Sequence, residues 1–187
     1  MPRPMHRTRA MRPTYRITTA RSADVPFLSV IELAAGGLLA PYAPEPVLKE
    51  TTPEPRFREA LQAGRLWVAL TSETPVGFAH VELLPSGLPH LEQVGVHPSH
   101  GRQGLGTRLV TAVCDWAERQ RHARLTLTTF RDAPFNMPFY AKLGFTELPA
   151  EELEQELTAL VAEEASRGLD PMRRVVMRWE RSVRADA

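Results

Sequence analysis

Val96-His97-Pro98-Ser99-His100-Gly101-Arg102-Gln103-Gly104-Leu105-Gly106-Thr107-Arg108-Leu109 leaves an apolar strand, crosses a glycine-bearing turn and enters a helix. Glycines let a backbone approach an anion with no side chain in the way, and the first-turn N–H groups of a helix, together with its dipole, favour negative charge there. The stretch therefore predicts a phosphate-binding loop. Two common loops are excluded by spacing. Gly101 and Gly106 have the Walker A separation, but Thr107 and Arg108 follow where Lys and then Ser or Thr are required, so the key cation of nucleotide hydrolysis is missing. A dinucleotide fingerprint starting at Gly104 needs a glycine at position 109, which is Leu109.

A second motif lies downstream. Leu125-Thr126-Leu127-Thr128-Thr129-Phe130 alternates as a strand and is followed by Asn136, Phe139-Tyr140 and Leu143-Gly144-Phe145. The first loop is similar to the Q/R-x-x-G-x-G/A acetyl-coenzyme A loop of the GNAT superfamily of N-acetyltransferases, which follows a strand ending in V-x-P. The second resembles the N-x-x-F/A-Y-x-x-x-G-F signature of the same family, in the expected order and at the expected distance. One departure stands out. The family's Arg or Gln falls on Gly101, which leaves Arg102 or Gln103 to compensate.

The resemblance implies an α/β fold: a mixed, mostly antiparallel twisted sheet of about six to seven strands, flanked by helices on both faces and splayed between its two central strands. It implies acetyl-coenzyme A as co-substrate, with no metal, and transfer of the acetyl group to a primary amine by direct attack in a ternary complex. The diphosphate would be held at Arg102, Gln103, Gly104, Leu105, Gly106 and Thr107, chiefly by backbone N–H groups. Asn136 would contact the pantetheine arm or the diphosphate side. The backbone edge around Val94 and Val96 would pair with the pantetheine amides like an added strand and supply the oxyanion donor. Tyr140 would face the sulfur and stabilise the departing thiolate.

Amine acetylation also needs a proton acceptor, because a primary amine with pKa near 10.4 is only about 0.04% neutral at pH 7. Glu92, on the strand leading into the loop, is the candidate, with Glu82 and His80 on the neighbouring strand in reserve. Strict alternation puts Glu92, Val94 and Val96 on one side of that strand and Leu91, Gln93 and Gly95 on the other; a bulge would reset the parity. The alternative reading is a catalytically idle acyl-coenzyme A-binding regulatory module, with Gly101 as its sequence hint. No Ser-His-Asp set or G-x-S-x-G elbow suggests a covalent intermediate. His97, His100 and nearby His90 lack the ligand cluster of a zinc site.

Composition fits this reading. The chain has 187 residues, 43% apolar and 24% charged, a single-domain length with an ordinary globular balance. No stretch approaches the roughly 20 apolar residues of a membrane span. Cys114 is the lone cysteine and the start carries no apolar signal segment, so the expected compartment is the cytoplasm. Net charge is +1, which gives no global pull toward nucleic acid or membrane. The expected partner is a small-molecule or peptide amine, with a homodimer as one option for assembly.

Residues 1–13, carrying Arg3, Arg7, Arg9 and Arg12 without an acidic residue, are expected as a disordered basic tail; a nucleic-acid or membrane tether is its functional alternative. The folded pattern begins at Tyr15, which leaves Met11 as an alternative start to Met1. Residues 14–180 are expected as one acetyltransferase domain and 181–187 as a second tail. Within the domain the pattern predicts a strand at 15–19, a helix over 23–33 capped by Ser22, and a proline-rich connection with a short helix at 56–63. A hairpin follows, turning at Thr74-Pro75, then a strand over 88–96. Beyond the loop come a helix with Leu105, Leu109, Val113, Trp116 and Ala117 on its apolar face, the second motif, an acidic helix over 150–166 and a last strand over 174–179. Cys114 is expected in the core rather than as a nucleophile.

Overall fold

Apolar and β-branched runs produce seven strands in the computed structural model, which describes residues 13–181; residues 1–12 and 182–187 lie outside the described residues. The strands are β1 (Arg16–Thr19), β2 (Leu66–Thr71), β3 (Thr74–Leu83), β4 (Pro89–Val96), β5 (Arg124–Phe130), β6 (Thr146–Glu147) and β7 (Arg174–Glu180). They form one sheet in the order β1-β2-β3-β4-β5-β7-β6, antiparallel throughout except where β4 meets β5. The helices are α1 (Val25–Gly36), α2 (Glu45–Leu48), α3 (Glu54–Gln62), α4 (Leu105–Arg119), α5 (Met137–Ala141) and α6 (Gln155–Ser166).

Each face of the sheet buries its own core. On one side α4 stacks Leu105, Leu109, Val113 and Ala117 at helical spacing against Ala69, Ala79, Val81, Leu91, Leu125 and Leu127. Cys114 belongs to the same stripe, and burial pushes its thiol up to about 12, which makes it inert. On the other side α1 and α3 set Leu28, Ile31 and Phe57 against Leu66, Val68, Leu70 and Phe78. Leu153, Leu157 and Leu88 form a smaller cluster beneath α6 with Val176.

Three local expectations are corrected. Asp24, not Ser22, precedes α1; its carboxylate turns back to the Arg21 N–H at 2.7 Å, and Pro26 fixes the first turn behind it. The hairpin turns at Ser72 and Glu73, both left-handed (φ 47° and 66°), because that two-residue geometry matches the strand twist. Pro75 instead enters the ladder opposite Leu70, beside an irregularity that skips Val76. The acidic helix begins at Gln155, since Leu153 adopts an extended conformation to join its cluster and leaves a separate single turn at Ala150–Glu152.

The feature that positions the site lies in the middle of the sheet. β4 and β5 pair in parallel at His90↔Thr126 and nowhere else among the described residues. The Thr126 hydroxyl lies 2.9 Å from His90 Nδ1 and donates to the Pro89 carbonyl at 3.4 Å, a buried polar pin at the apex. Beyond the pin the strands diverge, and the edge of β4 that faces β5 has no ladder partner from Glu92 to Val96.

Candidate active site

The loop predicted to hold phosphates is built as a run of free donors. The N–H groups of His100 and Gly101 are spent on the turn, bonding to the His97 and Pro98 carbonyls, and helical bonding resumes with Arg108 N–H to Gly104 O at 3.1 Å. From Arg102 to Thr107, six consecutive amides have no protein acceptor among the described residues. Gly104 sits in the left-handed region at φ 70°, which costs a glycine nothing, and Arg102 reaches φ 57° against its side-chain preference. This alternation turns successive N–H groups toward a shared concavity, as in anion-binding nests. The two sequence motifs meet here, since a Cβ on Gly106 would touch the Phe139 ring at 3.4 Å.

Glu92 lies at a bulge in β4. The β3–β4 register runs from His80↔Gln93 directly to Val81↔Leu91, so Glu92 has no opposite residue. Strict alternation therefore fails: Val94 pairs with Ala79 and packs with Val96 toward α4, whereas Glu92 faces the charges of the other face, Glu82, Arg56, Glu164 and Arg167. Glu92 keeps more than a third of its surface in solvent, and the protein packed around it still withholds part of the hydration of its carboxylate. That desolvation, with Glu82 adding repulsion and Arg56 opposing it, pushes the carboxyl up to about 7. Glu82 is held by Arg56, and His80 Nε2 lies 3.6 Å from Glu82 Oε1. Burial brings His80 down to about 4, a neutral ring whose Nδ1 has no partner.

Tyr140 lies on the opposite face of the splay, in α5, its ring packed edgewise on Phe139 (5.0 Å) and Phe145 (5.7 Å). Burial pushes its phenol up to about 12. Full proton transfer to a group of pKa 8.5 would then be uphill by roughly 5 kcal/mol, so the hydroxyl is suited to donating a hydrogen bond rather than to giving up its proton. Asn136 stands at the N-cap position of α5 but makes no side-chain cap; its carbonyl accepts from Phe139 and Tyr140. His97 Nδ1 is occupied by Ser99, and His100 Nδ1 lies 3.1 Å from the Tyr15 hydroxyl.

A profile of the acetyltransferase (GNAT) family matches residues 35–145, which include the splay, the amide loop and Tyr140. The chain belongs to the GNAT family. The fold is shared with solved GNAT structures of low identity. PaiA N-acetyltransferase from Thermoplasma acidophilum, in complex with coenzyme A, is 14% identical over 90% of this chain and 99% of its own, with TM-score 0.64. The ribosomal-protein-S18-alanine N-acetyltransferase of Escherichia coli gives 18%, 92%, 97% and 0.63. Arabidopsis thaliana Naa50, bound to the bisubstrate analogue CoA-Ac-MVNAL, gives 16%, 89%, 99% and 0.58.

In this GNAT chain the proline-rich segment between α1 and α3 forms a strap across the face that carries Glu92. Glu32, the one charged residue of α1, is buried and accepts from the Thr52 N–H and hydroxyl, both at 2.9 Å. Further along, Arg173 donates to the Pro41 and Tyr42 carbonyls and lies over the Tyr42 ring at 5.2 Å while pairing with Asp132. Glu50 pairs with Arg167, which caps the end of α6. A third pair is nearly enclosed: Arg174 grips Glu164 with two bonds (2.6 and 2.9 Å) and Thr128 with another, its guanidinium over Phe130. None of these residues emerges from the motifs. A lone carboxylate inside the apolar run of α1 is the one signal that marks Glu32; the other pairs join positions far apart in sequence.

Proposed function

We propose that the protein transfers an acetyl group from acetyl-coenzyme A to a primary amine by direct attack in a ternary complex. The observation that carries this reading is the divergence of β4 from β5, which leaves a free carboxylate on one face and a tyrosine beside the amide loop on the other. The amides of residues 102–107, with Gln103 and Arg102 at the rim, suit a diphosphate, and loss of the Arg or Gln at Gly101 removes no backbone donor. The unpaired edge of Val94 and Val96 suits the two amides of a pantetheine arm and a developing oxyanion. Asn136, uncapped, has its side chain available to the same arm.

The chemistry then divides between the faces. The ammonium enters on the Glu92 side, where a carboxyl raised toward neutrality accepts a proton directly or through water and frees the nitrogen lone pair. The amine attacks the thioester carbonyl, the β4 amides hold the oxyanion, the nitrogen gives its second proton to water, and collapse breaks the C–S bond and expels a thiolate that Tyr140 stabilises. A primary amine, small or peptidic, is the acceptor class this supports.

The test is twofold. Calorimetry with coenzyme A should register binding that is lost when the loop amides are displaced, and acetyl-coenzyme A with a panel of amines should release free thiol only when an acceptor is present. Binding without release for every amine would leave an acyl-coenzyme A-binding module instead; no binding would remove the reading altogether.

A further inference from the structure

Within the proposed acceptor recess, the arrangement of charge says more than that the substrate is an amine. Every guanidinium that reaches Glu92 is already taken. Arg56 of α3 holds Glu82, and Arg167 at the end of α6 holds Glu50. Across the splay Arg174 is locked bidentately on Glu164, with both side chains nearly enclosed. The next cation outward, Arg65, is turned to the Val81 carbonyl at 3.1 Å. Glu92 alone has no cation and no hydrogen-bond donor among the described residues. Three guanidiniums thus hold three carboxylates; of these described groups Arg65 is the cation left without a carboxylate, and Glu92 at the bulge is the carboxylate left without a cation. On the same face, two residues from Glu82, the buried neutral ring of His80 offers an unpartnered nitrogen, an atom that invites a polar hydrogen.

Resting on the acetyl-transfer reading, we infer that the acceptor is an amine whose frame carries no carboxylate near the reacting nitrogen: an alkylamine or an amide-blocked amino group, and not a free α-amino acid. A free amino acid would bring its own carboxylate within a few ångströms of Glu92, where Arg56 and Arg167 already hold carboxylates and Arg65 is turned to the Val81 carbonyl, and like charges juxtaposed beside a partly desolvated carboxylate are disfavoured. An ammonium on a neutral frame pairs with Glu92 instead. The same logic assigns a specificity role to Glu82: by occupying Arg56 it removes an arginine that could otherwise serve as a carboxylate clamp beside the bulge.

The full chain, saturated with coenzyme A, is titrated calorimetrically with alanine and with alaninamide near pH 7, where both amino groups remain substantially cationic. Alaninamide should bind at least tenfold more tightly. In Glu82→Gln, which frees Arg56, that preference should shrink at least threefold; a variant that had merely lost structure would weaken both ligands and leave their ratio unmoved. Thiol release from acetyl-coenzyme A is followed with the same pair as a separate readout. Selective binding of the amide with no thiol release would sink the transferase reading but uphold the charge rule. Equal or tighter binding of alanine, uptake of neither compound, or a ratio untouched by Glu82→Gln would each overturn the inference.

Discussion

Replacing Glu92 by Gln removes the proposed proton acceptor while preserving size and polarity, and its consequence is readable as a function of pH. An alkylamine at pH 7 is about 0.04% neutral, so a variant that depends on spontaneous deprotonation should gain roughly tenfold in rate for each pH unit up to the amine pKa. The wild type draws instead on a carboxyl near 7, so its rate should rise toward pH 7 and flatten above it. Against an ammonium of pKa 10.4, a carboxyl at 7 makes proton removal uphill by about 5 kcal/mol, compared with about 8 for an ordinary glutamate. Because Glu92 retains solvent contact, that difference is an upper limit. General-base catalysis spans roughly 10²–10⁴-fold, and solvent access places Glu92 at the lower end. The expected deficit of Glu92→Gln is therefore about a hundredfold at pH 7, about tenfold at pH 8, and small by pH 9. Thiol release at saturating acetyl-coenzyme A measures it directly. A loss below threefold at pH 7, or a loss constant from pH 6 to 9, would refute the role.

Tyr140→Phe should lower turnover at least tenfold with coenzyme A affinity unchanged by calorimetry; a drop in affinity without a drop in turnover would assign the ring to packing alone. Gly104→Ala forces a side chain into φ 70° and should cost about 1 kcal/mol in denaturant stability while weakening coenzyme A several-fold, whereas Arg102→Ala should leave affinity within about threefold because the amides carry the grip. His80 and His90 are held neutral near 4 by burial, so the unfolded chain binds more protons between pH 6.5 and 4 and stability falls on acidification through that window. At pH 5 each contributes a loss of about 2 kcal/mol relative to neutral pH, and urea midpoints of His90→Gln should show a correspondingly shallower decline. Thr52→Val strips a donor from the buried Glu32 carboxylate and should cost about 1–3 kcal/mol, raising KM for the amine and not for acetyl-coenzyme A.

The parts of the molecule governed by local rules were legible from residues alone. Glycine spacing at 101, 104 and 106 specified the amide loop because a left-handed φ and a close approach are demands on single positions. The buried stripe of α4 and the strands on either side followed from periodicity. Positions set by tertiary competition were not. Leu153 leaves the helical pattern for a hydrophobic cluster, and the hairpin turn moves because Pro75 can enter a ladder beside a bulge. The site divides along the same line. Glu92 was identifiable by its strand, but its face depended on a one-residue irregularity that no alternation encodes. The pairs that neutralise the recess, among them Glu50 with Arg167 across more than a hundred residues, exist only once the strap is folded over the sheet.

The pin at His90 and Thr126 gives this sheet an interior margin. Strand margins normally invite other strands, with the hazard of indiscriminate association. Here the open flank of β4 looks onto the flank of β5 across a narrowing wedge closed at one end. A visiting polypeptide strand needs width for side chains on both of its surfaces, whereas a slender chain of amides with few branches needs much less. Under the proposed function, the wedge would work as a gauge of girth, admitting the cosubstrate's tether and turning away protein chains that could otherwise complete the sheet.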